Sequence, residues 1–162
     1  MSHVLKRDLG VGRTIAVSGS GKAAAWPAAP CKRPDAPRVL LVDDDASVRM
    51  VCAVNLGLLG IEVLEAEDGA RGFALARREC PNLVVLDVSM PGLDGFEVAE
   101  LLRGHRRTRR IPFMFLSGEV GNEARARDLG AFAYMTKPFD PIALAALIAE
   151  TLRSSRAEAV RA

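Results

Sequence analysis

Leu83-Val84-Val85-Leu86-Asp87-Val88-Ser89-Met90-Pro91-Gly92 is the stretch on which the reading of this chain turns. Four apolar residues run straight into a carboxylate, and a Pro-Gly pair follows closely. A short apolar run with β-branched members reads as a strand buried on both faces, and Pro-Gly turns the chain. The strand therefore delivers Asp87 to its own C-terminal end, where open α/β sheets keep their sites. A lone aspartate there serves equally well as the cap of a turn, so the weight falls on what the other strands deliver.

The same pattern repeats on either side of this stretch. Val39-Leu40-Leu41-Val42 is a buried strand ending in Asp43-Asp44-Asp45. Residues 46–59 have helical spacing, with Val48, Val51, Cys52, Leu56 and Leu59 on one side and Gly60 as the stop. Residues 61–66 alternate as a second strand, and Asp68-Gly69 starts a helix that closes before Pro81. After the third strand comes a helix over about residues 96–103, with Val98, Leu101 and Leu102 inward. A strand over 112–116, a charged helix over 119–129 and a strand over 132–135 follow. Asp140 caps a last helix over 142–152 with Pro141 at its first position. Five βα units thus fill residues 37–153. Such alternation implies a parallel sheet with helices on both faces. Right-handed crossovers favour the strand order 2-1-3-4-5, counted along the chain.

The totals agree with one domain and short extensions. The chain has 162 residues, 49% of them apolar, which is enough for a real core. No apolar run approaches the roughly 20 residues of a membrane span, and the N-terminus shows no signal peptide. Cys31, Cys52 and Cys80 are far apart with no CxxC, so free thiols in a reducing cytoplasm are expected. Residues 1–37 hold six basic against two acidic side chains, and the remainder is mildly acidic, which gives no hint of nucleic-acid binding. Residues 1–37 show no sustained period and read as a flexible basic leader, dominated from 18 to 37 by Gly, Ser, Ala and Pro and ending in a Pro-rich linker. Ser18-Gly19-Ser20-Gly21-Lys22 departs from a phosphate loop, since Ala16 and Ala23 stand where Gly and Ser or Thr are needed. Arg106-Arg107-Thr108-Arg109-Arg110 reads as a solvated loop. Residues 154–162 read as a frayed tail.

In the expected sheet the strand ends deliver Asp43 and Asp44, Asp87, Ser117 and Lys137 to one rim. Carboxylates ~4 Å apart repel by on the order of 4 kcal/mol at an effective dielectric of ~20. Lys137 supplies one offsetting charge and a divalent cation supplies two. Oxygen ligands without His or Cys select Mg²⁺, or Mn²⁺ where available. A carboxylate so placed can accept a phosphoryl group, with the metal and Lys137 stabilising the transferring oxygens.

As a set, Val39–Asp45, Asp87–Gly95, Phe115-Leu116-Ser117-Gly118 and Lys137-Pro138-Phe139 resemble the receiver domain of two-component response regulators. The likeness is greatest to stand-alone receivers such as the chemotaxis regulator, and it covers about residues 38–153. It implies a flavodoxin-like (βα)5 fold. It makes Asp87 the phosphoacceptor, and Asp43, Asp44 and Asp87 the metal ligands with the Ser89 backbone carbonyl. Ser117 becomes the switch hydroxyl, Lys137 the phosphate-pairing cation, and Tyr134 the switch aromatic, packing into space that Ser117 leaves. The implied phosphodonor is a histidine kinase or histidine phosphotransfer protein, in the cytoplasm. The implied protein is no enzyme beyond its own magnesium-dependent phosphorylation and dephosphorylation. Because few residues follow 153, the expected output is a contact with another protein through the fourth helix, fifth strand and fifth helix. Neither a DNA-binding domain nor direct contact with nucleic acid is expected.

Two other readings fit less of the chain. Asp43-Asp44-Asp45-Ala46-Ser47 fits the DxDx[ST] nucleophile pattern of haloacid-dehalogenase-like phosphatases, but Leu116-Ser117-Gly118 lacks their later acidic pair. A phosphorylation-independent interaction module would leave the acidic set and Lys137 without a purpose.

Overall fold

Alternation along the central strands decides the layers. The structure is a computed structural model that describes residues 6–8, 13–16 and 36–161, the first two segments as backbone alone. The strands are β1 (Lys6–Asp8), β2 (Arg13–Ala16), β3 (Arg38–Val42), β4 (Glu62–Ala66), β5 (Leu83–Asp87), β6 (Phe113–Ser117) and β7 (Ala133–Thr136). The helices are α1 (Ala46–Leu58), α2 (Gly69–Glu79), α3 (Gly95–Gly104), α4 (Glu123–Asp128) and α5 (Pro141–Arg161). Strands β4-β3-β5-β6-β7 are parallel neighbours, the order expected from the sequence. Side chains one apart along a strand point to opposite faces. Leu40, Val42, Val84, Leu86, Phe113 and Phe115 therefore build one core with α2 and α3. Val39, Leu41, Val85, Met114, Leu116 and Met135 build the other with α1 and α5. All five residues of β5 are buried.

Capping fixes where helices begin. Asp45 accepts from Ser47 N at 2.8 Å, Asp68 from Arg71 N at 2.7 Å, and Asp94 forms a reciprocal capping box with Glu97. Asp140 accepts from Ile142 N at 2.9 Å at the start of α5.

Several expectations need correction. On α1 only Cys52 and Leu56 are buried, whereas Leu59, expected inward, is 53% exposed and Val51 is exposed too. On α3, Leu101 is likewise exposed. Each helix buries a narrower strip than its apolar spacing suggests, because its neighbours on the sheet limit the area available to it. The helix expected over 119–129 shrinks to Glu123–Asp128. Its first turn cannot form, because the Glu119 amide and carbonyl are engaged by Ser117 and Tyr134, and Gly121 has φ +96°. Helix α5 continues to Arg161 rather than ending near 152. That extension contains Ala, Arg and Glu and no Gly or Pro.

The leader was expected to hold no regular structure. Instead β1 and β2 pair antiparallel, and β2 pairs antiparallel with β7, placing Ile15 opposite Tyr134. An edge strand carries unpaired N–H and C=O groups that attract another strand, and β7 is such an edge of the parallel sheet. Residues 17–35, with the Gly-Lys pair and Trp26, lie outside the described residues. Cys52 is a buried free thiol, but Cys80 is disulfide-bonded, against the expectation of free thiols. Spacing along the chain does not reveal which cysteines folding brings within bonding range.

One glycine is fixed by its neighbours at the site. A Cβ on Gly95 would stand 2.2 Å from the Asp87 carbonyl oxygen and 2.9 Å from Val88 Cα. Gly95→Ala should therefore lower stability by about 1–3 kcal/mol, the usual cost of overpacking. A shift of the urea midpoint smaller than that of an exposed Gly104→Ala control would disprove the close fit.

Candidate functional site

The site grows from two adjacent strand ends. Val42 of β3 pairs with Leu86 of β5, so the following residues, Asp43 and Asp87, emerge side by side. Both are only 3% exposed, while Asp44 is exposed. Oxygens of Asp43, Asp44 and Asp87 lie within 4.8 Å of one another. Lys137, just past β7, reaches across: its Nζ donates to Asp43 Oδ2 at 2.8 Å and to Asp87 Oδ1 at 3.1 Å. The Lys137–Pro138 peptide is cis. Three carboxylates against one ammonium leave a net negative pocket.

The two oxygens of Asp43 are both engaged, Oδ2 by Lys137 and Oδ1 by the Asp45 amide at 2.9 Å. Among the described residues, Asp87 Oδ2 has no hydrogen-bond partner. Burial, reinforced by Asp43 and opposed by Lys137, pushes the Asp87 carboxyl up to about 6. For Lys137, burial works downward but is outweighed by the hydrogen bond and charge of Asp43, with help from Asp87, so its ammonium is held above the usual value. Beneath the pocket Cys52 is pushed up to about 12, first by burial and then by Asp43. It stays a neutral thiol, so the donors are oxygens alone. An all-oxygen anionic set suits a hard divalent cation rather than a soft one, and the residues present can hold a metal ion.

Ser117, fully buried at the end of β6, makes no hydrogen bond to the carboxylates among the described residues. Its Oγ accepts from Glu119 N at 3.0 Å, and its carbonyl accepts from Lys137 N at 2.7 Å. Tyr134 is also fully buried, and its hydroxyl donates to the Glu119 carbonyl at 2.8 Å. Ser117 and Tyr134 thus hold one residue, Glu119, through its amide and its carbonyl, and Tyr134 is already inward without any space having been left by Ser117. Ser89 lies exposed in the turn after β5. Asp45 is exposed and caps α1.

One participant escaped the sequence reading. Arg49 donates through Nη1 to the Asp43 carbonyl at 2.7 Å and through Nε to Glu65 at 3.2 Å. Its only signal is its place one helical turn after the acidic run.

Comparisons with known proteins place the chain in a family. Residues 39–149 match the family described as the response regulator receiver domain. The "DNA-binding dual master transcriptional regulator RpaA" of Synechocystis sp. is 39% identical over 119 residues, covering 72% of this chain and 49% of that protein. The "phosphate regulon transcriptional regulatory protein PhoB" of Pseudomonas aeruginosa is 38% identical over 117 residues, covering 71% of this chain and 51% of that one. The solved chemotaxis protein CheY4 of Vibrio cholerae superposes with TM-score 0.66 at 30% identity, over 71% of this chain and 98% of that chain. The chain spans about half the length of the curated relatives it matches.

These findings overturn two expectations. An output by protein contact alone, without a DNA-binding domain, and a protein free of nucleic-acid contact both rested on the few residues after 153. The matched relatives are named as transcriptional regulators, one of them as DNA-binding. A receiver's sequence does not carry the chemistry of its output, so neither exclusion stands. Among the described residues no helix is long and apolar enough to cross a membrane.

The raised Asp87 pKa makes a signed prediction for the metal-free protein. The unfolded carboxyl titrates near ~4, and the folded one near about 6. Between those values the folded chain keeps a proton that the unfolded chain has released, so stability falls as pH rises and levels off above about 6. The cost of the charged form is on the order of 3 kcal/mol. Asp87→Asn should therefore be more stable than the parent at about pH 8 in chelator, with the difference vanishing toward about pH 4. Parallel urea curves with a pH-independent difference would refute it.

Proposed function

This chain belongs to the response regulator receiver domain family, and from that premise we propose that it is a phosphorylation switch with Asp87 as acceptor. The observation that carries the choice of residue is the free oxygen. Asp43 has both carboxylate oxygens committed and Asp44 is exposed, whereas the buried Asp87 retains Oδ2 for attack among the described residues. We take residues 38–153 as the functional unit.

The phosphodonor is a phosphohistidine on a kinase or phosphotransfer protein, met in the cytoplasm. Asp87 Oδ2 attacks phosphorus in line, the P–N bond breaks, and the imidazole leaves with the electron pair and takes up a proton. Bound Mg²⁺, or Mn²⁺, would supply Lewis-acid neutralisation of the phosphoryl oxygens. Asp43, Asp44 and Asp87 would hold it, with the Ser89 carbonyl. Lys137 pairs with a phosphoryl oxygen, and the Ser117 hydroxyl donates to another. When Ser117 turns to the phosphoryl group it releases the Glu119 amide, which Tyr134 still grips by the carbonyl. The added charge of about −1.5 to −2 thus biases the segment 119–122. The protein turns over no outside substrate; it catalyses only its own phosphorylation and dephosphorylation. What the phosphoryl group governs, we propose, is transcription, the activity for which the matched relatives are named.

The full chain with Mg²⁺ and an acyl phosphate should become labelled, and chelator or Asp87→Asn should abolish the label. Lys137→Ala should slow labelling by about 10²-fold, as loss of one preorganised charge usually does. Equal labelling of the parent and Asp87→Asn sinks the assignment. Mg²⁺ should raise the thermal midpoint of the parent and leave Asp43→Asn/Asp87→Asn nearly unmoved, by mass action on the folded state.

A further inference from the structure

The site described above uses one end of the sheet. The opposite end, where the helices terminate, carries a second concentration of charge that the switch does not employ. Helix α2 ends in Arg77 and Arg78, and the loop after α3 carries Arg106, Arg107, Arg109 and Arg110. These two segments touch. Phe73 meets His105 edge-on at 5.9 Å, Arg77 lies over the Phe73 ring at 5.6 Å, and Arg107 Nη2 stands 3.6 Å from Cys80 Sγ. All six arginines are exposed.

The loop is held rather than merely solvated. Arg103 spreads over four carbonyls: Arg109 at 2.6 Å, Gly130 at 3.0 Å, and Leu129 and Ile111 at 3.3 Å. Its guanidinium stacks over Phe113 at 4.4 Å. Thr108 is fully buried and donates to the Leu102 carbonyl at 2.8 Å. The backbone that presents the arginines on either side of Thr108 is therefore already ordered, which lowers the cost of binding. Glu79, the carboxylate beside Arg78, is shared between Arg78 at 2.7 Å and Arg38 at 3.1 Å. Among the described residues Arg77, Arg106, Arg109 and Arg110 form no ion pair.

We infer that this surface binds the phosphate backbone of nucleic acid. Every cation in it is a guanidinium, the group whose planar fork fits phosphate. Phe73 and His105, both part-exposed, add ring faces beside the arginines. A bilayer is disfavoured because none of the large exposed apolar side chains lies in residues 70–80 or 103–112. The inference stands on charge and geometry and does not depend on phosphorylation of Asp87.

The test is anisotropy of a labelled mixed-sequence DNA duplex titrated with the full chain. Affinity should fall at least ~10-fold between about 50 and 200 mM salt, since each neutralised phosphate contributes about 0.9 to the logarithmic slope. Arg106→Ala/Arg109→Ala/Arg110→Ala should weaken binding at least ~10-fold and flatten that slope. The same triple variant should still take label from an acyl phosphate at the parental rate, which shows that it is folded. Failure of this binding while Asp87 labels normally overturns the surface and leaves the switch untouched. Binding unchanged in the triple variant overturns it too, as does equal affinity for poly-glutamate or for anionic phosphatidylglycerol vesicles.

Discussion

One ammonium makes the arrangement of the sheet tenable at its working end. Lys137 Nζ stands between Asp43 and Asp87, at 2.8 and 3.1 Å. The two carboxylates follow adjacent strands, so they are forced to within about a strand spacing, roughly 5 Å, whatever their charge. Unpaired, each such contact would cost on the order of 3 kcal/mol at an effective dielectric of ~20. The lysine follows β7, two strands beyond β5, so the carboxylates gain this counter-charge only when the sheet has assembled across β6. The residual negative charge then makes the pocket receptive to a divalent cation.

The same closeness sets the chemistry. The buried Asp87 is held between proton and lysine, with its carboxyl near the neutral range and one oxygen uncommitted. Gly95 lets α3 start against the Asp87 carbonyl, where a Cβ does not fit. Glu119 ties the site to the sheet's far side, because Ser117 takes its amide and Tyr134 its carbonyl. A change at Ser117 is thus felt one hydrogen bond away by a fully buried tyrosine, without any long chain of intermediaries.

Charge is segregated by the direction of the chain. In a parallel sheet every helix starts near the strands' C-terminal edge and runs back. The capping aspartates Asp45, Asp68 and Asp94 therefore sit at the same end of the sheet as the acidic pocket. Arginines in the last turns of α2 and α3 gather at the other end, where the helix dipole favours cations. Among the described residues the two ends of the sheet thus differ in charge.

The local code was readable where it depended on near neighbours. The apolar runs of β3, β5 and β6, their parallel order, and the delivery of Asp43, Asp87, Ser117 and Lys137 to one rim all follow from period and position. Turn and cap chemistry likewise placed Asp68 and Asp140. What stayed hidden depended on partners far along the chain. The inward face of α1, the pairing of β2 with β7, the shortening of α4 and the grip of Arg49 on Asp43 each rest on a contact between separated segments. So does the difference between Asp43 and Asp87, identical in the sequence and distinguished only by which oxygens their surroundings occupy. Strand period and strand order are short-range properties, so the residues alone already bring acids and a lysine to one sheet edge. Which of the two buried acids keeps an open oxygen emerges with folding, because it depends on hydrogen bonds donated across the fold.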